Sequence, residues 1–369
     1  MNGIRSSNHH RNRTVALFLC SGLIAFSAGL LYMCRQDVFG AASKPKMTEF
    51  KTERSVWLTD WRWKAGMEQL GTVAEGLTSL QLFAAYFDES DRLLFTDEFR
   101  EALPLVQQEV DRGGLNRLFL TLVNDIKYQG GGNVQKDSEL VTRLVKDFSS
   151  RSSHINEIIA AVESYGLSGV ELDYERIDDK DWTNYAQLIR ELHARLIGKG
   201  KELRVVFEPR APIERLDLPE GPVYIMMAYN LFGNHSGPGP KADDAFVRQL
   251  AARMKGLSGQ SYIALSSGGF DWHGETGKAV GITERQAADL ASGATSPPVR
   301  DKASGALHFE YMDSSGAKHN VWYADGKTLG QWIQAAKSKG IYNIAIWRLD
   351  ELGEESLKQL QSTGSVQIE

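Results

Sequence analysis

Residues 168–175 read SGVELDYE. Glu171, Asp173 and Glu175 sit two apart, a spacing that on a β-strand puts all three side chains on one face while Val170, Leu172 and Tyr174 point the other way. The stretch follows a helical pattern and a short turn, Tyr165-Gly166-Leu167, as a buried parallel strand does after its crossover helix. Carboxylates on a buried face are costly, and three together repel one another and raise at least one pKa. Packing gives no reason to keep such a group; an acid catalyst needs it. The contrasting reading is a solvated edge strand whose acids face water.

From Ser55 onward, short apolar runs alternate with amphipathic stretches. The predicted strands are 55–59, 80–86, 117–123, 169–174, 203–207, 222–227, 261–266 and 343–348. Helical patterns fall between them, at 97–111, 138–165, 181–198, 243–254 and 328–339. Strands alternating with helices predict an α/β protein with a parallel sheet, and eight such units predict a closed (β/α)8 TIM barrel. The competing fold is an open doubly wound sheet, but no Gly-rich phosphate fingerprint follows the first strand. Between predicted strands seven and eight the rhythm breaks. There 307–312 and 319–323 flank Asp313-Ser314-Ser315-Gly316, the signal of a small β-hairpin insertion. Gly130-Gly131-Gly132, after strand three, reads as a short flexible loop.

Composition bounds the rest. The chain has 369 residues, 42% hydrophobic and 24% charged, enough for one large core. Three of its 42 basic residues, Arg5, Arg11 and Arg13, lie in the first 34 positions, which hold no acid; the other 39 face 47 acids, a net −8. No basic face for nucleic acid is expected. Both cysteines, Cys20 and Cys34, precede the body, so disulfides play no part in its fold. Val15 to Met33 is free of charge and, at 1.5 Å per residue, reaches roughly 29 Å, enough to cross a bilayer core. Residues 1–34 are therefore expected to be a membrane anchor through 15–33 or a signal sequence, residues 35–54 a polar linker, and 55–369 the barrel. Either leader places the body outside the cytoplasm.

The order small-Gly-apolar-acid-apolar-acid-aromatic-Glu in 168–175 resembles the D-G-x-D-x-D-x-E signature of glycoside hydrolase family 18, which includes chitinases and related N-acetylglucosaminidases. Strand six ends in Met226-Met227-Ala228-Tyr229-Asn230, similar to the family's M-x-Y-D. Ser236-Gly237-Pro238-Gly239-Pro240 resembles a loop of its bacterial spore-cortex and cell-wall members, and strand eight ends in Ile344-Ala345-Ile346-Trp347-Arg348-Leu349. The resemblance spans most of residues 55–360.

It implies a glycosidase acting on a polysaccharide that contains N-acetylglucosamine, peptidoglycan first and chitin-like oligomers second, by substrate-assisted retaining catalysis. Glu175 would be the general acid and then base, Asp173 would orient the acetamide, and Tyr229 would donate to its carbonyl. Glu171 would couple to Asp173 and share a proton, with Asn230 in support. Trp347 would be the floor under the reacting sugar. Three departures stand out: Ser168 replaces the signature's first Asp, Glu171 its second, and Asn230 stands where the family usually has Asp.

Residue types alone add Trp57, Trp61, Tyr86 and Trp272, at or just past strand ends, whose faces suit sugar C–H surfaces. Asp125, after strand three, is a cleft or cap residue. Glu208, after strand five, belongs to the same face and is a candidate second carboxylate. Two alternatives follow: a barrel that binds sugar without cutting it, and a two-carboxylate retaining glycosidase using Glu175 and Glu208. No metal-ligand spacing occurs, so neither metal nor cofactor is expected.

Overall fold

The structure, a computed structural model, describes residues 48–257, 259–361 and 365–368. The candidate anchor at 15–33 lies outside these. Among the described residues no helix is long and apolar enough to cross a membrane. Two compact units divide the chain, at Lys51 and Ser365. The described part of the smaller is a two-stranded sheet formed by Thr48–Lys51 and Ser365–Ile368. The stretch expected to be a plain linker thus contains a strand.

The larger unit is a closed barrel of eight parallel strands. They are β1 (Arg54–Thr59), β2 (Ser79–Phe87), β3 (Leu118–Lys127), β4 (Gly169–Asp173), β5 (Glu202–Phe207), β6 (Val223–Met227), β7 (Gln260–Ser266) and β8 (Asn343–Trp347). Each pairs with its sequence neighbour, and β8 returns to β1. All eight predicted strands are present, with ends shifted by a few residues at most.

Helices cover the outside: α1 (Trp63–Val73), α2 (Asp97–Arg112), α3 (Ser138–Val145), α4 (Phe148–Ser164), α5 (Trp182–Ile197), α6 (Asp244–Met254), α7 (Glu284–Ser292), α8 (Gly326–Lys337) and α9 (Glu354–Gln361). The helix expected over 138–165 is two helices. The Asp147 carboxylate accepts from Ser150 N at 2.8 Å and so starts a second N-terminus at Phe148. Between β5 and β6 the described elements include only a 3₁₀ turn, Ile213–Arg215.

The insertion after β7 is larger than the expected hairpin. Leu307–Met312 and Lys318–Ala324 do pair around the Asp313 turn. They belong to a five-stranded antiparallel sheet with Gly268–His273, Ala279–Ile282 and Val299–Arg300, carrying its own small core of Phe309, Val321 and Tyr323 under α7.

The two faces of each barrel strand feed two cores. Outward residues such as Val56, Leu58, Val170, Leu172 and Tyr174 pack against the helices. Inward residues, Trp57, Val206, Ile225, Met227, Tyr262 and Ala345, fill the barrel, with Phe83, Tyr229 and Trp347 stacked toward its upper rim. The alternation read in 168–175 therefore holds, and it sends Glu171 and Asp173 into the barrel.

Candidate active site

Glu171 occupies the lower layer of the barrel interior. Its side chain is fully buried, and its Oε2 accepts from Arg204 Nε of β5 at 2.8 Å in an ion pair. Its Oε1 accepts from Trp57 Nε1 at 2.5 Å and Thr121 Oγ1 at 2.9 Å. Arg204 lies against Phe119 and Tyr262, 5.4 and 5.1 Å from the ring centres. With these partners the Glu171 charge is compensated. Proton sharing with Asp173, expected from the resemblance, is not among its hydrogen bonds. Ser168 lies at the far end of β4, where its Oγ accepts from Leu118 N at 3.0 Å, so the missing Asp there does not touch the upper rim.

Asp173, two residues on, ends β4 at the C-terminal face. It is 6% exposed, and its Oδ1 has no hydrogen-bond partner. Burial first, then the charges of Glu175 and Glu171, hold its pKa well above the usual carboxylate range.

Glu175 follows at the rim. Asn124 of β3 clamps its backbone, accepting from Glu175 N at 2.9 Å and donating to Glu175 O at 2.9 Å. Its carboxylate is ion-paired with Lys136 Nζ. Burial raises its pKa, the Lys136 ammonium opposes the rise, and a hydrogen bond with Glu208 adds to it. Two left-handed residues hold this arrangement. Lys136, at φ 57°, directs its N–H to Asp125 Oδ1 at 2.8 Å; Arg176, at φ 54°, directs its own to Glu208 Oε2 at 2.6 Å.

These groups line a cleft of about 430 Å³ at the top of the barrel. Asp173, Glu175, Tyr229, Asn230, Tyr86, Trp347, Trp61 and Asp125 all line it, so eight of the twelve candidates meet in one place. Tyr229, from the end of β6, has its phenol pKa held well above normal by burial and by the nearby carboxylates, so it is a hydrogen-bond donor. Asn230 donates weakly to Met227 Sδ at 3.9 Å. The Tyr86 hydroxyl donates to Asp60 Oδ1 at 2.7 Å, and Lys127 Nζ sits 3.7 Å from its ring centre. Trp347 packs edge-on to Phe83 at 5.0 Å and to Trp57 at 5.9 Å.

Three expectations need correction. Trp57 is 1% exposed and lies beneath the cleft, where it supports Trp347 and holds Glu171; it cannot meet a sugar directly. The exposed aromatic near the end of β1 is instead Trp61, 48% exposed, on the cleft wall. Glu208 does not line the cleft but backs Glu175. Glu171 is a member of a structural ion pair. Of the remaining aromatics, Trp272 is buried on a strand of the insertion sheet, where its Nε1 donates to Ser236 O at 3.3 Å.

Sequence reasoning missed Lys136 and Asn124. Lys136 carries no local signal, because its partner is 39 positions away and the loop that brings it back reads only as a glycine run. Asn124, next to Asp125 at the end of β3, was open to the same strand-end argument as the other rim residues.

The sequence profile of Glycosyl hydrolases family 18 matches residues 130–351, more than half of the chain. The cortical fragment-lytic enzyme of Bacillus anthracis is 25% identical over 242 residues, which cover 59% of this chain and 54% of that protein. The chain thus spans about half the length of that curated relative. Two solved structures share the fold. The spore cortex-lytic enzyme SleL of Bacillus cereus superposes with TM-score 0.70 at 19% identity, covering 86% of this chain and 75% of that one. A class V chitinase from Nicotiana tobaccum gives 0.66 at 16%, covering 84% and 97%. With the barrel, the acid pair ending β4 and the profile match in agreement, the chain belongs to glycosyl hydrolases family 18 and is, as a member, a glycosidase.

Proposed function

We propose that the chain cleaves an N-acetylglucosamine-containing glycan of the cell wall by substrate-assisted catalysis, with Glu175 as acid and then base, acting outside the cytoplasm. The observation that carries this reading is the pair Asp173 and Glu175, both with raised pKa, at the cleft face of β4 beside Tyr229, whose phenol keeps its proton and can donate it in a hydrogen bond.

In the first step the acetamido oxygen of the bound sugar attacks its own anomeric carbon. The glycosidic C–O bond breaks, and the leaving oxygen takes the Glu175 proton. Burial favours the protonated acid that this step consumes. Tyr229 donates to the acetamide carbonyl and orients it. Asp173, whose Oδ1 has no partner, accepts from the acetamide N–H and stabilises the positive charge that develops there. Glu175, now ionised, takes a proton from water, whose oxygen attacks the anomeric carbon from the vacated face; the bond from that carbon to the acetamide oxygen breaks, which restores the acetamide and the original configuration. Lys136 stabilises the ionised form between the two steps.

A two-carboxylate mechanism would need Glu208 across the sugar from Glu175, roughly 5 Å away. Glu208 instead accepts from Arg176 N at 2.6 Å and is not among the residues that line the cleft, which favours the substrate-assisted reading. Cell-wall glycan as first substrate, with chitin-like oligomers second, is supported by the names of the relatives and the expected leader. The test compares the full chain with its Glu175→Gln variant on peptidoglycan and on N-acetylglucosamine oligomers, counting new reducing ends by mass spectrometry. Cleavage by the parent, with a loss of about 10²-fold or more in the variant, supports the proposal. Binding without cleavage by either protein would leave a sugar-binding barrel.

A further inference from the structure

On the other side of Trp347 from the acid cleft lies a second cavity of about 380 Å³, between the tops of β7 and β8 and the insertion sheet. Trp347 lines both, so a chain of sugars lying over this indole reaches from one to the other. The second cavity differs in charge. Its lining contains three cations, Arg62, Lys241 and Arg348, and one carboxylate, Asp350.

That carboxylate is already saturated. Asp350 accepts from Arg62 Nη2 at 2.9 Å and from Arg348 Nη2 at 2.7 Å. Lys241 has no acid among its partners. Its Nζ donates to Ser266 Oγ at 2.8 Å and Ser267 O at 3.0 Å, both neutral, which leaves one of its three N–H bonds over. It sits 5.4 Å from the Phe270 ring centre. Burial, and then the Arg348 charge, push its pKa down to about 7. A buried ammonium held next to a guanidinium with no counter-charge is unfavourable for the empty protein and favourable for an anion that enters. The wall around it is open: Ser266, Ser267, Gly269 and Gly281 leave room beside the ammonium.

We infer that this cavity is a carboxylate subsite, in which Lys241 and Arg348 bind the acidic ether substituent of a hexosamine next to the one over Trp347. In peptidoglycan this carboxyl is free, and so anionic, on each muramic acid from which the peptide stem has been removed; chitin has none. The inference rests on the proposed glycan-cleaving reading and selects between its two substrates.

Binding to the full-length Glu175→Gln protein tests it, by isothermal titration calorimetry with two probes. One is a tetrasaccharide of alternating N-acetylglucosamine and N-acetylmuramic acid with free carboxylates; the other is the same glycan with each carboxylate converted to a primary carboxamide. The expected result is at least tenfold tighter binding of the carboxylate form. Adding Lys241→Met abolishes that preference. Adding Gln286→Glu does so independently, because Gln286 also lines the cavity and Glu keeps the capping box in which this side chain accepts from Thr283 N. Equal affinity for the two forms, or a preference that survives both substitutions, would overturn the subsite. Hydrolysis of the same glycan by the parent is scored separately. Preference without hydrolysis keeps the subsite and removes the catalytic reading; hydrolysis without preference does the reverse.

Discussion

Glu175 is set by burial and two neighbours that pull in opposite directions. Burial and Glu208 favour its protonated form, Lys136 its ionised form. The alkaline limb of kcat/KM against pH reports the acid of the free enzyme. Replacing Lys136 with Met removes the ammonium that stabilises the anion, so this limb is expected to move to higher pH. Glu208→Gln removes a negative neighbour and is expected to move it to lower pH, while kcat/KM at the optimum falls less than about tenfold, since the residue does not reach the sugar. If Glu208→Gln costs as much as Glu175→Gln, Glu208 acts directly and the substrate-assisted assignment is wrong. If neither substitution shifts the limb, the acid seen in the profile is not Glu175.

At the scale of the element, β4 carries the site because its backbone fits closely against β5. Gly169 lies opposite Glu202, and a Cβ there would come within 2.1 Å of the Glu202 carbonyl oxygen. Gly169→Ala must push the two strands apart, and a destabilisation of about 1–3 kcal/mol is expected, read as a lowered urea midpoint with unchanged slope. A midpoint equal to the parent's would show that the strands tolerate the methyl. The period of two made this strand legible: which face Glu171 and Asp173 occupy is a local property. Depth along the barrel axis is not local. Trp57 and Trp61 look alike near the end of one strand, yet the first is inside the barrel and the second on its rim. Glu208 was placed on the correct face, but the turn of its side chain depends on Arg176 N, 32 positions away. The insertion was half legible. Its hairpin has a turn signal, whereas Gly268–His273 and Ala279–Ile282 are short and glycine-bearing, and they join the hairpin only because Gly268–His273 pairs with Lys318–Ala324, far along the chain.

For the molecule as a whole, the barrel interior holds two kinds of buried charge with different consequences. The lower kind is paired. Arg204→Met alone would leave Glu171 without its cation, with an expected loss of about 3–5 kcal/mol, whereas adding Glu171→Leu should recover most of it; a double variant no more stable than the single would show that the pair is not the unit of stability. The upper kind is unpaired. Asp173 has a raised pKa in the folded chain, from burial above all and then from Glu175 and Glu171. A carboxyl raised in this way contributes stability at pH below its unfolded value, about 4, and that contribution is lost as pH rises toward the folded value, because the unfolded chain ionises first and gains by it. The folded protein therefore bears a growing cost from Asp173 between mildly acidic and neutral pH, at about 1.4 kcal/mol for each tenfold difference in proton affinity. Asparagine cannot ionise and escapes this cost. The Asp173→Asn variant is expected to melt above the parent at pH 8, by on the order of a few degrees, with the difference shrinking to zero or reversing at pH 4, while its glycan cleavage is lost. Scanning calorimetry of both proteins at the two pH values decides the matter. A variant whose melting difference from the parent is the same at pH 4 and pH 8 would mean that Asp173 is ionised as easily inside the barrel as in water, and the charge held ready for the acetamide nitrogen would then not be one that the fold has to oppose.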